Sequence, residues 1–461
     1  MLFEQHYLEC LSQASYLIAD EGTKRAVVVD PRRDVSPYLE TANEHGLTIE
    51  LVIETHFHAD FLSGHLELAA ATGAEIAYGD VAVTEFASRG LADRERISLG
   101  GVTLEIRHTP GHTPESISIV VFEHADDETP YAVLTGDTMF IGDVGRPDLL
   151  SSVGMTADQL AEQLYDSLHE QLLTLPDETR VFPGHGAGSA CGKNLSSDTS
   201  STIGAQRTDN YALQPMSKDD FVLAVTEGQS VAPAYFAYDA MLNREQRRLL
   251  DEHAEPAELT LTEVTRWQRR GAVVLDARDP HDFATGHLIG SVNVGMAGRY
   301  AEFAGGVVQP GAPIVIVSDE GQQREAKNRL ARIGFDNVVG CLRNAEQVFQ
   351  AHPEEIAHGS RLDVAALRDA VATTPDLQLV DVRGPGEAEG GMIEGAVLVP
   401  LPQLNRMLGS LDASKPTIVY CAGGYRSSIA ASRLVSAGFT DVSDLLGGYG
   451  AWTAAHEAQP V

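Results

Sequence analysis

A dense cluster of metal-binding residue types lies near the N-terminus, in the stretch Thr55-His56-Phe57-His58-Ala59-Asp60-Phe61. The apolar run before it, residues 49–53, predicts a buried strand, and the Leu/Ala spacing of residues 62–71 predicts a helix that ends at Gly73. The histidines therefore lie where a strand ends. Two imidazoles and a carboxylate on such a turn can converge on one point, and all three are metal-ligand types. The same spacing also occurs in solvated loops, so the stretch alone leaves both possibilities open.

A polar side chain of a ligand type follows a predicted strand at three further places in the first half of the chain. These residues are His112, Asp137 and His185. Strands aligned in a sheet bring such turns to one edge, which is where ligands commonly bind. Because four coincidences of this kind are improbable, the sequence predicts a metal site at that edge.

The charge of the chain restricts its partners. The 461 residues are enough for about three domains, and their formal net charge is -33. Such an acidic chain argues against a nucleic-acid groove or an anionic membrane surface as partner, because phosphate binding requires clustered Lys and Arg. We find neither a signal-peptide pattern nor an apolar run long enough to span a bilayer, so we expect a cytoplasmic protein.

The cysteines are few and scattered. No CxxC pair occurs, which fits a reducing compartment and leaves each thiol available for a separate role. The four residues are Cys10, Cys191, Cys341 and Cys421.

The second half of the chain contains an internal duplication. Residues 272–278 (AVVLDAR) match residues 377–383 (LQLVDVR), 105 positions later. Residues 314–316 match residues 418–420 at an offset of 104, which a one-residue difference in loop length explains. A period this long indicates duplicated domains and not a solenoid, whose repeats are much shorter. Strands alternate with helices in each copy, which predicts two small parallel α/β domains.

The motifs of the first half, THFHAD, TPGHT, TGDT and PGH in this order, resemble those of the metallo-β-lactamase superfold. The resemblance implies an α/β protein whose residues 1–250 form an αββα sandwich. Most dinuclear hydrolases of that superfamily read HxHxDH, whereas the sixth position here is Phe61. A phenyl ring removes one ligand of the second metal, so we expect a mononuclear site.

Among the mononuclear members, the sequence resembles the persulfide dioxygenases. The resemblance implies one Fe(II) per chain, held by His56, His112 and Asp137, with zinc as the alternative metal. Two histidines and one carboxylate leave positions open for O₂ and a sulfur substrate. The implied reaction converts a thiol persulfide, O₂ and water into thiol and sulfite. Three other residues would orient the ligands or a metal-bound water, or act as alternative ligands: His58, Asp60 and His185.

Two residues beside these motifs have open roles. The segment 142–148 resembles the G-R-T-D segment of the dioxygenases, with Pro147 as a departure. Arg146 within it could bind the carboxylate of a glutathione-like substrate, or it could pair with an aspartate of the same loop, Asp143 or Asp148. Cys191 could lie near the pocket and carry a sulfur, or it could be inert.

The last domain, residues 361–461, contains a candidate nucleophile. Cys421 follows a predicted strand and precedes a helix, on a loop containing Gly423 and Gly424. The backbone N–H groups of such a loop and the positive end of the helix dipole stabilise a thiolate. The loop resembles that of the rhodaneses, sulfurtransferases that carry a persulfide on this cysteine. Four residues separate Cys421 from Arg426, where related phosphatases have five, which favours sulfur over phosphate.

Further residues of the last domain extend the rhodanese resemblance. They are Asp381, Arg383 and Glu387, which match a D-x-R-x-x-x-E pattern, and Ser427 in the loop. Ala422 and Met392 depart from residues frequent in the family, so the preference for a sulfur acceptor stays open. The middle copy, residues 259–352, has Val317-Ser318-Asp319-Glu320 where the nucleophile is expected. We interpret it as a degenerate rhodanese-like domain that serves packing or docking, with Cys341 as a structural residue.

The sequence thus predicts a persulfide dioxygenase fused to a rhodanese, a combination suited to sulfide detoxification. Cys421 would pass a sulfur between thiosulfate or sulfite and a low-molecular-weight thiol, and we expect a homo-oligomer. One rival is a zinc-dependent thioester hydrolase of the glyoxalase type fused to sulfur carriers, against which Phe61 speaks. A second rival is a non-catalytic sulfur sensor or scaffold, against which the intact ligand and nucleophile sets speak.

Overall fold

The computed structural model describes residues 1–149, 154–229 and 231–457. The chain divides into two compact units. The first comprises Met1–Ala232 and Phe236–Leu250, and the second comprises Pro233–Tyr235 and Asp251–Val461. Within the described residues, no helix combines the length and the apolar character that crossing a bilayer requires.

Two six-stranded sheets form the first unit. The first sheet contains β1 (Leu2–Leu8), β2 (Gln13–Asp20), β3 (Arg25–Val29), β4 (Thr48–Ile53), β5 (Glu75–Gly79) and β6 (Arg89–Leu91), in this order. The second contains β7 (Arg96–Ser98), β8 (Thr103–His108), β9 (Ile117–Phe122), β10 (Ala132–Gly136), β11 (Arg180–Pro183) and β12 (Ser201–Thr202), also in chain order. Strands β3 to β6 are parallel, as are β10 and β11.

Helices cover both outer faces of the paired sheets. They are α1 (Ser36–His45), α2 (His65–Thr72), α3 (Ala157–Asp166), α4 (Ile203–Asp209), α5 (Lys218–Thr226) and α6 (Phe236–Leu242). The predicted helix after the histidine stretch begins three residues later than expected, and it ends as expected at Gly73, whose φ of 79° favours glycine.

Three apolar clusters hold these four layers together. One lies between the sheets and includes Val27, Leu104 and Ile119. A second packs the outer face of the first sheet, with Val52, against the first two helices. The third packs the outer face of the second sheet, with Val133, against α3, α4 and α5. Because each sheet buries both faces, its strands are apolar on both sides. The expected αββα sandwich is confirmed.

The second unit contains two parallel sheets, one in each copy of the duplication. The middle copy comprises α7 (Leu261–Gln268), β13 (Val273–Asp276), α8 (Pro280–Thr285), β14 (His287–Leu288), β15 (Val292–Asn293), α9 (Tyr300–Val307), β16 (Ile314–Val317), α10 (Gln323–Ala331), β17 (Val338–Leu342), α11 (Ala345–Ala351) and β18 (Ile356–Ala357). Its sheet has the order β15-β13-β16-β17, and β14 pairs with β18.

The last copy repeats this plan. It comprises β19 (Ser360–Leu362), α12 (Val364–Thr373), β20 (Gln378–Asp381), α13 (Pro385–Glu389), β21 (Val397–Leu398), α14 (Leu404–Met407), β22 (Thr417–Tyr420), α15 (Tyr425–Ser436), β23 (Val442–Leu445) and α16 (Gly448–Glu457). Its sheet has the order β19-β23-β22-β20-β21, with every pairing parallel. The prediction of two small parallel α/β domains is confirmed.

Candidate metal centre and sulfur-carrier loop

Three side chains on three separate turns meet at one end of the paired sheets. His56 follows β4, His112 lies between β8 and β9, and Asp137 follows β10. The Nε2 atoms of the two imidazoles lie 3.9 and 3.6 Å from Asp137 Oδ2. All three residues are at most 2 % exposed, and their ligand atoms lie within 4.8 Å of one another. The structure therefore brings together the three residues expected as metal ligands.

Hydrogen bonds at the far nitrogens fix how both imidazoles are oriented. His112 Nδ1 donates to the carbonyl of Arg146 at 2.9 Å. Thr55 Oγ1 donates to Asp30 Oδ2 at 2.9 Å and so accepts from His56 Nδ1, also at 2.9 Å. Each ring therefore directs an Nε2 lone pair toward Asp137. Burial lowers the pKa of both imidazoles, which favours the neutral form that a metal requires.

Asp137 completes the donor set. Its Oδ1 accepts from His185 Nδ1 at 2.8 Å, whereas the buried Oδ2 has no hydrogen-bond partner among the described residues. Burial raises the pKa of this carboxyl. The charge and hydrogen bond of His185 and the charges of His56 and His112 outweigh burial, so the pKa is lowered overall. A buried ionised oxygen facing two imidazole lone pairs is costly unless a cation binds there, so the residues fit a metal ion.

His58 lies in a different cluster. Its Nε2 is 3.1 Å from Asp30 Oδ1 and 3.3 Å from Glu54 Oε2. Burial lowers the pKa of His58, but these two carboxylates raise it to about 10 overall. The ring is therefore an imidazolium at neutral pH, and its expected role in orienting the ligands stays a prediction. Sequence reasoning missed Asp30 and Glu54, although each directly follows a strand of the first sheet.

The second metal position of the superfamily pattern is occupied by an ion pair and a phenyl ring. His185 Nδ1 lies 2.8 Å from Asp137 Oδ1, and its Nε2 lies 2.8 Å from Asp60 Oδ2. Burial lowers the pKa of His185, but the two carboxylates raise it well above its ordinary value. The ring of Phe61 packs 6.2 Å from that imidazole, centroid to centroid. One imidazolium between two carboxylates leaves the cluster negative, and Asp60 Oδ1 has no hydrogen-bond partner among the described residues. Asp60 and His185, with Cys191, therefore form a second set of ligand types beside the first.

Cys191 lies beside this ion pair. Its Sγ and ligand atoms of Asp60 and His185 lie within 4.8 Å of one another. The residue is 1 % exposed. Burial and the carboxylates of Asp60 and Asp137 raise the pKa of the thiol well above its ordinary value, which favours the protonated form.

Arg146 is 2 % exposed and pairs within its own loop. Its Nε and Nη2 each lie 2.7 Å from a carboxylate oxygen of Asp148, and its Nη1 donates to the carbonyl of Ala190 at 3.1 Å. Of the two roles that the sequence left open, the structure shows the pairing with Asp148. Binding of a substrate carboxylate by Arg146 stays a prediction that requires Asp148 to give way.

The cysteine loop of the last domain lies between β22 and α15. Cys421 Sγ accepts from the backbone N–H of Gly424 at 3.1 Å, and Ser427 Oγ lies 3.6 Å away. Gly424 has a φ of 99°, a conformation that favours glycine and turns its N–H toward the sulfur. The helix that begins at Tyr425 directs its positive end at the same atom.

Two ion pairs support this loop. Arg426 makes two bonds of 2.6 and 2.7 Å to the carboxylate of Glu387. That hydrogen bonding raises the pKa of Arg426, against the opposing effect of burial. Arg383 pairs with Asp381 through bonds of 3.0 and 2.7 Å, both deeply buried. Of the residues expected around the nucleophile, Gly424 and Ser427 contact its sulfur, and the roles of the others stay predictions.

The middle copy retains the backbone of this loop without the thiol. Asp276 pairs with Val317 in its sheet, as Asp381 pairs with Tyr420 in the last copy. Ser318 therefore stands where the last copy has Cys421. Three residues further on, Gly321 has a φ of 83°, close to that of the corresponding glycine in the last copy.

The fold and the site define a class of αββα proteins with a candidate metal centre, followed by two small parallel α/β domains, the second of which carries a cysteine loop. Comparison with known proteins agrees with this class. The metallo-beta-lactamase superfamily model matches residues 8–185, and the rhodanese-like domain model matches residues 260–351 and 363–455. A solved metallo-beta-lactamase from Staphylococcus aureus is 32% identical, with a TM-score of 0.66, over 74% of this chain and 98% of that one. The chain belongs to the metallo-beta-lactamase superfamily, with two rhodanese-like domains following the sandwich.

Two kinds of enzyme occur among its relatives. Human mitochondrial persulfide dioxygenase is 29% identical over 210 residues, which are 45% of this chain and 74% of that protein. A probable hydroxyacylglutathione hydrolase of Schizosaccharomyces pombe is 32% identical over 174 residues, which are 37% of this chain and 62% of that protein.

Proposed function

We propose that the first unit is a mononuclear non-haem iron persulfide dioxygenase. It would convert R-S-SH, O₂ and H₂O into R-SH and sulfite, with release of two protons. The observation that carries the proposal is the donor set of His56, His112 and Asp137, beside which Phe61 stands where the dinuclear pattern has an imidazole. A two-histidine, one-carboxylate iron would supply adjacent open positions for O₂ and a sulfur ligand.

The residues around this donor set have distinct tasks in the proposed reaction. Thr55 and the carbonyl of Arg146 hold the two imidazoles in the tautomer with Nε2 free. His185 holds Asp137 Oδ1, which leaves Oδ2 as the donor atom. The buried ring of Phe61 limits the water that can enter, which protects a reactive persulfide from side reactions.

For the last domain, we propose a rhodanese-type sulfur transfer at Cys421. The thiolate attacks the outer sulfur of R-S-SH, the S–S bond of the donor breaks, and R-SH leaves, so that a persulfide forms on Cys421. Sulfite then attacks the outer sulfur of that persulfide, and thiosulfate leaves with the thiolate restored. The Gly424 N–H and the helix dipole stabilise the thiolate in each half of the cycle. Sulfite from the first unit would thus be consumed by the second.

A zinc-dependent thioester hydrolase is the second candidate, favoured by the similarity to hydroxyacylglutathione hydrolases. Phe61 speaks against it, since the dinuclear hydrolase pattern has an imidazole ligand of the second metal at that position.

Metal analysis of the full chain combined with an oxygen-electrode trace tests the proposal. We expect about one iron per chain, O₂ uptake on addition of a thiol persulfide, and sulfite as product. Asp137→Asn should lower O₂ uptake by about 100-fold or more, whereas the exposed Asp158→Asn should leave it unchanged. Zinc without O₂ uptake, together with thiol release from an acyl-glutathione, would overturn the dioxygenase in favour of the hydrolase.

The sulfur-transfer step has its own test. Thiosulfate formation from a persulfide and sulfite should disappear in Cys421→Ser. It should persist in Cys341→Ser, a matched substitution of a buried cysteine in the same unit. Equal loss in both variants would contradict the assignment of Cys421.

A further inference from the structure

A cavity of about 380 Å³ lies in the second unit, between the middle and the last rhodanese-like domains. The middle domain contributes Asp279, Met296 and Asp319 to its wall, and the last domain contributes Arg361, Gly424 and Tyr425. Its volume suits a small organic molecule, because ligand sites begin near 300 Å³.

The cavity adjoins the loop that holds the nucleophile. Gly424, which lines it, donates its N–H to Cys421 Sγ at 3.1 Å. The next residue, Tyr425, is held by a hydrogen bond of 2.6 Å from its hydroxyl to the carbonyl of Gly295. Cys421 is 1 % exposed and does not itself line the cavity, whereas Gly423, Gly424 and Tyr425 of its loop do. A donor in the cavity therefore meets the sulfur across this loop, with its outer sulfur about 2 Å beyond the inner one.

The wall carries two exposed acidic side chains, Asp279 and Asp319. The charge of Arg278 acts on Asp319, but Arg278 is itself bonded to Asp276. The cation, Arg361, is neutralised by Asp444 through bonds of 3.0 Å from Nε and 3.0 Å from Nη2. Neither Asp279 nor Asp319 forms a salt bridge with a basic side chain among the described residues. Burial raises the pKa of Asp319, and the carboxylate of Asp282 raises it further, in keeping with a negative local potential.

We propose that this cavity binds the ammonium-bearing part of a small aminothiol or amino-acid persulfide whose outer sulfur passes to Cys421. Asp279 and Asp319 attract the ammonium group, which can also form a cation–π interaction with the ring of Tyr425. In the transfer, the thiolate of Cys421 bonds to the outer sulfur, the S–S bond of the donor breaks, and the aminothiol leaves. The middle domain, although it lacks a nucleophile, thereby selects the donor for the last one. The inference rests on the proposed sulfur transfer at Cys421.

Three persulfide donors that differ only in charge test the proposal. They are the persulfides of cysteamine, 2-mercaptoethanol and 3-mercaptopropionate, each given to the full chain under anaerobic conditions with excess sulfite. At low ionic strength, two carboxylates each taken as roughly 8 Å from the charged group of the donor should give a kcat/KM about 20-fold higher for the cationic donor than for the anionic one. Salt should reduce this ratio, because exposed charges are screened.

Substitution then identifies the charges responsible. The double variant Asp279→Asn/Asp319→Asn should bring the ratio of the two rate constants close to 1. Glu320→Gln removes an acid of the same loop that does not line the cavity, and it should leave the ratio unchanged. If the wild-type chain turns over all three donors with the same kcat/KM, this inference is overturned and the proposed sulfur transfer stands. Absence of Cys421-dependent thiosulfate from all three donors overturns the proposed sulfur transfer instead.

Discussion

Thr55→Val is the sharpest perturbation of the metal centre that leaves its ligands in place. Valine has nearly the shape of threonine, so the substitution removes one hydroxyl and little packing. That hydroxyl accepts from His56 Nδ1 and donates to Asp30 Oδ2, both at 2.9 Å. The variant therefore leaves a buried imidazole N–H and a buried carboxylate oxygen without this partner.

The expected magnitudes follow from these two lost bonds. A buried polar group without its partner costs about 1–3 kcal/mol, so we expect the free energy of unfolding of the metal-free chain to fall by about 2–4 kcal/mol. Loss of the group that orients a ligating histidine lowers metal affinity by about 10- to 100-fold, which corresponds to about 1.4–2.8 kcal/mol.

Competition of the protein with a chromogenic chelator for Fe(II) measures the affinity, and denaturant unfolding of the metal-free chain measures the stability. Thr55→Ser keeps the hydroxyl and should bind iron nearly as the wild type does. Thr135→Val removes another buried hydroxyl, which donates to the carbonyl of Met139 at 2.6 Å, and should lower stability without a comparable loss of affinity. Wild-type affinity in Thr55→Val would refute the idea that this hydroxyl orients His56.

Three further outcomes are expected. Phe61→His should raise the bound metal above one ion per chain, as measured by elemental analysis, because it adds an imidazole beside the Asp60–His185 pair. Glu387→Gln should lower thiosulfate formation by about 10-fold, because it weakens the anchor of Arg426, while O₂ uptake stays unchanged. Burial raises the pKa of Glu67, but its partners, chiefly Arg247, lower it overall. The ionised Glu67 should therefore stabilise the folded chain fully at pH values above its unfolded pKa, near 4.3, and this stabilisation should be lost as the pH falls through its folded pKa. Equal acid unfolding of the wild type and Glu67→Gln would contradict this.

The sequence patterns predicted that His56, His112, Asp137 and His185 would lie at one edge of the sheets, because each lies shortly after a strand; the choice of ligands among them rested on the resemblance to the dioxygenases. The end of a strand is a local feature, and parallel pairing then aligns neighbouring ends. Leu134 pairs with Phe182 in β10 and β11, so Asp137 and His185 emerge side by side. Nothing beyond strand periodicity was needed to expect that meeting.

The partners of His58 could not be predicted in the same way. Asp30 and Glu54 face it because Val29 pairs with Ile53 across β3 and β4, a register that local spacing does not specify. The HxHxD pattern therefore suggested a second imidazole near the metal, whereas long-range pairing surrounds that imidazole with carboxylates. Similarly, the contact of Arg146 with Asp148 depends on how the loop folds back, which composition does not reveal.

The duplicated domains separate what the fold requires from what the chemistry requires. Arg278 bonds Asp276 and the carbonyl of Gly286 in the middle copy, as Arg383 bonds Asp381 and the carbonyl of Gly391 in the last. Because both copies retain this pair, it belongs to the architecture of the domain. The thiol and the arginine of the active loop are present in one copy only, since Ser318 and Gln323 occupy the matching positions in the other. In the proposal above, the corresponding loop of the middle copy, which lacks both groups, forms part of the wall of the cavity next to the Cys421 loop. Its acidic residue Asp319 lines that cavity.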